Sequence, residues 1–113
     1  MHEGLITKLI LAKALEKAAE ADAKRIKKIC IVFGDMWGVV DHFVESYFNF
    51  LSKETIAEGA SLSFQRTPIK LGCRNCDHIY MPESLDWSCP NCRVKKMEIL
   101  SGRECHIVNM EVE

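Results

Sequence analysis

No stretch of this chain is built to cross a membrane. The longest apolar stretch near its start, Leu9 to Ala12, falls far short of the roughly 20 residues a span needs. A secretory leader is not expected either: the acidic Glu3 comes early, and Lys8, Lys13 and Lys17 interrupt any apolar run. These absences make the cytoplasm the expected compartment. There is little excess charge, with a net value of -1, so no strong field draws in DNA or RNA, although a local patch stays open. No phosphate-cradling loop and no nucleophile–base constellation is visible, which argues against a kinase or an ordinary hydrolase. No internal repeat or low-complexity tract occurs.

What remains is ordinary for one globular domain of 113 residues, 48% hydrophobic and 27% charged. A domain this small makes a modest core, and a metal staple would help it hold together. Residues Leu5 to about Ala23 read as a helix, with Leu5, Ile6, Leu9, Ile10 and Ala12 at helical spacing. Ile29-Cys30-Ile31-Val32-Phe33, within Arg25 to Phe33, reads as a strand apolar on both faces, hence central or covered. Val39 to about Ser52 returns to helical spacing, with Val40, Phe43, Val44, Tyr47 and Leu51 as its expected stripe. Leu62 and Phe64 alternate with Ser61, Ser63 and Gln65 as a half-buried strand ending at Pro68. From Gly72 to about Lys96 the composition changes to Cys, Asn, Asp and Pro with few aliphatics, a segment unable to make its own hydrophobic core. Glu104 to Val112 alternates again, with His106, Val108, Met110 and Val112 expected on one side.

The resulting expectation is an α+β fold, two helices with a three-stranded sheet plus an inserted small zinc-ribbon-like domain. Residues 1–69 and 99–113 would form the α/β domain. Residues 70–98 would form the zinc-binding domain between the last two strands.

Cys73-Arg74-Asn75-Cys76 and Cys89-Pro90-Asn91-Cys92 are two CxxC pairs. Two thiolates at that spacing chelate one ion from a tight turn, and two such turns complete a tetrahedron that suits zinc. An iron site of rubredoxin type is the chemical alternative, because iron accepts four thiolates too. Disulfides would need an oxidising compartment. A thioredoxin-like pair should open a helix after a strand, and neither does. Four thiolates close the site, so His78 is expected to face solvent and the metal to be structural. Cys30 and Cys105 sit in strands and read as core packing. His42 and His106 read as structural, and Asp41 with Glu45 as a solvated helix face.

The chain opens Met1-His2-Glu3. A terminal histidine is ordinarily just solvated. Yet an α-amine titrating near ~7.7–8 and an imidazole near ~6.5, with deprotonated backbone amides, offer nitrogens in one plane, an arrangement that suits Ni(II) or Cu(II). The bulky second residue should leave Met1 in place.

The Met-His-Glu start of an amphipathic helix, the βαβ pattern and the two CxxC pairs together resemble the HypA/HybF family of hydrogenase maturation nickel metallochaperones. So do the strand from Gly102-Arg103-Glu104 to Glu111-Val112-Glu113, Phe33-Gly34, Gly38-Val39-Val40 and Ala57-Glu58-Gly59-Ala60. The likeness covers essentially the whole chain. It implies nickel as transported cargo, bound at Met1, His2 and Glu3: His2 through imidazole and backbone, its neighbours through backbone or terminal nitrogen, Glu3 also through its carboxylate. It implies structural zinc on Cys73, Cys76, Cys89 and Cys92. The implied partners are a HypB-type GTPase and the [NiFe]-hydrogenase large-subunit precursor, with urease served in some bacteria; no membrane is expected, and the near-neutral charge argues against nucleic acid. The chain departs from the family where Cys105 replaces a leucine, and where Arg93 and Asp77 stand at positions that are commonly glycine.

Two other functions fit parts of the sequence. A zinc-ribbon adaptor or nucleic-acid-binding module could use Arg74, Arg93, Lys95 and Lys96 with Tyr80 and Trp87. A thiol-redox enzyme would need a low-pKa thiol in place of a tightly held ion.

Overall fold

The computed structural model describes residues 3–113. Helix α1 (Glu3–Glu20) leads into strand β1 (Ile26–Gly34), a short 3-10 turn, helix α2 (Asp41–Leu51) and strand β2 (Ser61–Thr67). Three short strands follow, β3 (Lys70–Cys73), β4 (Ile79–Tyr80) and β5 (Met97–Ser101), before β6 (Cys105–Val112) closes the chain. They make two three-stranded sheets, ordered β2-β1-β6 and β4-β3-β5. The fold is α+β, with a zinc-ribbon-like unit between the last two strands of the first sheet. Among the described residues no helix is long and apolar enough to cross a membrane.

The main core lies between the first sheet and the two helices. Helix α1 buries Ile6, Ile10, Leu11, Ala14 and Ala18 there. Leu5, Leu9 and Ala12, expected on the same stripe, face outward. The helix also stops short of Ala23. Asp22 adopts a left-handed φ of 53°, and the Ala23 N–H reaches back to the Ala18 carbonyl at 2.9 Å while Asp22 bonds Ala19 at 3.1 Å. That is a Schellman ending built on aspartate, with no glycine to announce it.

Strand β1 is central, pairing parallel to β2 and antiparallel to β6. Ile29, Ile31 and Phe33 enter the main core, and Phe33 stacks on Phe64 of β2 with centroids 6.0 Å apart. Cys30 and Val32 lie on the other face, where the Gln65 Nε2 donates to Cys30 Sγ at 3.7 Å.

Two expected faces are corrected. In α2 the residues driven inward are Val44 and Phe48, with Leu51 half-buried, whereas Val40, Phe43 and Tyr47 are about half exposed and Phe50 is 70% exposed. In β6 the register to β1 shifts between Cys30 and Ile31, which face Asn109 and Ile107, so Val108 is an extra residue. This bulge flips the alternation. Cys105 and Ile107 pack on the core before it and Met110 after it, leaving His106 and Val108 outside.

The crossing between the sheets is close. An added Cβ on Gly34 would sit 2.0 Å from the Gly102 carbonyl, so only glycine fits. Met36 N–H donates to Gly102 O at 3.0 Å, Gly34 N–H to Glu104 O at 2.6 Å, and Trp37 Nε1 to Arg103 O at 2.9 Å.

Candidate metal centre

The four cysteines converge from two similar turns. Cys73 ends β3, and the Asp77 N–H closes its turn onto the Cys73 carbonyl at 2.9 Å. In the second turn the Arg93 N–H closes onto the Cys89 carbonyl at 2.8 Å. Asp77 and Arg93 share a left-handed φ of 63°. These are the two positions where the resemblance led to an expectation of glycine, the residue that adopts this conformation at least cost. The Asn75 N–H points to Cys73 Sγ and the Asn91 N–H to Cys89 Sγ, both at 3.4 Å.

The asparagine side chains then cross between turns. Asn75 Nδ2 donates to Cys92 Sγ and Asn91 Nδ2 to Cys76 Sγ, both at 3.5 Å. Each turn therefore supplies an amide to a sulfur of the other. The sequence reading passed over these two residues, although the repeated asparagine before the second cysteine of each pair was a visible signal.

All four Sγ atoms lie within 4.8 Å of one another, with Cys73–Cys92 and Cys76–Cys89 both at 3.6 Å. A disulfide would bring sulfurs to about 2.05 Å. A tetrahedron with metal–sulfur bonds of about 2.3 Å has edges of about 3.8 Å. The cluster thus fits a single ion, and four protein sulfurs leave it no open position. Cys73 and Cys89 are buried, while Cys76 and Cys92 are half-buried at the rim.

The thiols are not equivalent. The Asn75 amide, with the Val94 N–H, holds Cys92 down at about 6. The Asn91 amide does the same in direction for Cys76, helped by the His78 N–H. At Cys73 the Cys76 N–H favours the thiolate, but burial and the hydrogen-bonding sulfurs of Cys92 and Cys76 outweigh it and push the thiol up to about 11. The crossed asparagine amides thus favour the thiolate, the ligating form, at the two rim sulfurs. His78 is exposed, stacks on Tyr80 with centroids 6.0 Å apart, and is outside the cluster.

The remaining candidates are scattered. His42 is exposed beside Phe43, and Glu45 faces solvent. Asp41 is not merely solvated, because the Arg66 guanidinium donates to its carboxylate. Tyr80 donates to the Trp87 carbonyl at 2.5 Å, so these two half-buried aromatics are fixed to one another. Arg74 faces Glu98 at 4.0 Å and Lys95 faces Asp86 at 3.9 Å, which offsets part of the ribbon's positive charge.

At the chain start, Met1 and His2 lie outside the described residues. Glu3 opens α1 and is 6% exposed. Its carboxylate accepts the Val40 N–H at 3.2 Å, and its carbonyl accepts the Thr7 hydroxyl at 2.5 Å. Hydrogen bonds from its own N–H and from Val40 hold the carboxyl below its usual range.

Comparison with known proteins agrees with this architecture. Residues 1–112 match the family model described as hydrogenase/urease nickel incorporation, metallochaperone, hypA. The hydrogenase maturation factor HypA of Dehalococcoides mccartyi strain 195 is 38% identical over 113 residues, covering 100% of this chain and 95% of that protein. The factor of the same name from Caldanaerobacter subterraneus is 30% identical, with 100% of both covered. The solution structure of the Ni metallochaperone HypA from Helicobacter pylori shares the fold, with a TM-score of 0.70 at 24% identity, covering 99% of this chain and 97% of that one. The chain accordingly belongs to the HypA family of nickel-incorporation metallochaperones, which are maturation factors rather than catalysts.

Proposed function

We propose that this chain binds Ni(II) at Met1, His2 and Glu3 and delivers it for [NiFe]-hydrogenase maturation, while Cys73, Cys76, Cys89 and Cys92 hold a structural zinc ion. The observation that carries the reading is the family match beginning at residue 1, which takes in Met1-His2-Glu3. The anchoring of Glu3 in the first turn of α1 supports it, since the donors would sit next to a rigid element. Zinc is favoured over iron because the ion's task in this reading is to contribute folding energy to a small unit, which needs no redox change.

In this reading the cargo is held by His2 through its imidazole and backbone nitrogen and by the terminal amine, with Glu3 adding its backbone. The Glu3 carboxylate keeps the Val40 hydrogen bond. Binding releases protons, so acid weakens it as imidazole and amine protonate between about pH 8 and 6. Release would go to a HypB-type GTPase and the hydrogenase large-subunit precursor in the cytoplasm. The adaptor reading keeps the cysteine cluster and drops nickel.

Calorimetric titration of Ni(II) into the untagged protein separates them. Tight binding to the native chain, abolished by one extra N-terminal residue and strongly weakened by His2→Ala with zinc content unchanged, is the expected result. Equal nickel affinity in all three proteins would remove the N-terminal site.

A further inference from the structure

Between β1 and α2 the chain runs through Val39 and Val40, both flanked by the same side chain. Arg66, on β2, donates from Nη2 to the Val39 carbonyl at 2.5 Å, and the same nitrogen donates to the Asp41 carboxylate. The guanidinium also lies 5.7 Å from the Phe33 ring centroid, on the strand paired with its own. Val40 sits between these two gripped residues, in extended conformation with φ -97° and ψ 118°. Its N–H is the one donated to the Glu3 carboxylate. Three contacts therefore connect an edge strand to the first turn of α1: Arg66 to Val39 and Asp41, and Val40 to Glu3.

We infer that Arg66 is a positioning residue for nickel binding, fixing the Val40 N–H that holds Glu3, and hence the donor segment joined to it, without touching the metal. The inference rests on the N-terminal nickel reading above. Its physical basis is that ligands are held in register by the groups that hydrogen-bond to them, and losing such support costs affinity even when every donor remains. An arginine suits this task because the two N–H bonds of Nη2 are fixed in the guanidinium plane and can each take one acceptor, whereas a lysine ammonium places its donors with less geometric definition.

The test compares the native chain, the chain with one extra N-terminal residue, Arg66→Met, Arg66→Lys, Glu3→Ala and the double variant Arg66→Met/Glu3→Ala. Nickel affinity is read by calorimetry, nickel geometry by the visible d–d circular dichroism band, and fold by zinc content and melting temperature. The inference expects Arg66→Met to weaken nickel by about tenfold, the lower end of the range for loss of supporting groups. It also expects an altered band, with zinc retained. Arg66→Lys should move the same way by less, and serves in place of Arg66→Met if that variant folds poorly. In the Glu3→Ala background the further loss on removing Arg66 should vanish, because the effect runs through Glu3. A merely structural arginine would lower the melting temperature and leave both band and affinity of the folded protein unchanged, which overturns the inference. Full additivity of the two substitutions overturns it as well. A native chain that takes up no nickel, or an extended chain that binds it equally, overturns the underlying reading and the inference together.

Discussion

The two sheets of this protein are held by different means. The β2-β1-β6 sheet and its helices enclose a core that includes Ile29, Ile31, Phe33, Val44 and Phe48, all fully buried. Across Lys70 to Ser101 the buried hydrophobic residues are Leu71, Cys73 and Cys89 alone, and two of these belong to the four-cysteine cluster. Apolar burial of roughly 1.5–3 kcal/mol per large side chain can hold the first unit. It cannot hold the second, whose order depends on what joins Cys73 to Cys92 and Cys76 to Cys89. On the proposed reading the ribbon follows its metal, while the α/β unit follows the hydrophobic effect.

Removing the metal should give the largest effect. Cys89→Ser, or a strong chelator, takes away a binding free energy that reaches about 10–16 kcal/mol for structural zinc in small peptides and that here is mostly folding energy of one unit. Amide hydrogen exchange should then show residues 70–101 losing protection while Ile29 to Phe33 keep theirs. Simultaneous loss in both sheets would mean that the Gly34–Gly102 crossing couples them into one cooperative unit, and the comparison would break.

The reverse perturbation is smaller. Phe48→Ala empties a fully buried position and should cost about 3–5 kcal/mol. Metal content of the cysteine cluster should be unchanged in the folded fraction. Phe50→Ala, on the same helix but 70% exposed, should change stability by less than about 0.5 kcal/mol. A large loss at Phe50 would show that the outward aromatics of α2 are covered in the native assembly.

The same contrast sets what the sequence could disclose. Strand β1 and the CxxC pairs were legible because a run of β-branched residues and a repeated thiol spacing each point to one physical solution. The face of α2 was not, because Phe43, Val44, Tyr47, Phe48 and Leu51 satisfy helical spacing along two adjacent stripes, and only the position of α1 decides which is buried. The face of β6 was lost for a different reason: one extra residue at Val108 inverts everything beyond it, and no residue type marks a bulge. The ribbon's own sheet escaped notice because strands of four, two and five residues are too short to display a period. The cysteine cluster was complete in the sequence, while the crossed asparagines needed the two turns to be seen face to face.

The smallest effect lies where the ribbon's two turns carry side chains on left-handed backbone. An L-residue there costs roughly 1–2 kcal/mol relative to the right-handed conformation, and replacement by glycine removes that cost while adding about 0.5–1 kcal/mol of unfolded-chain entropy. Arg93→Gly should therefore stabilise the metal-bound ribbon by about 0.5 kcal/mol. Asp77→Gly should give less, because aspartate visits this conformation more readily. Competition against a chelator of known affinity reads the difference, and retention should rise slightly for Arg93→Gly and stay level for Asp77→Gly. If Arg93→Gly instead releases the metal more easily, the arginine side chain contributes more to the closed turn than its backbone strain costs. The ribbon would then be stabilised by surface contacts as well as by its ion, which would narrow the difference between the two units.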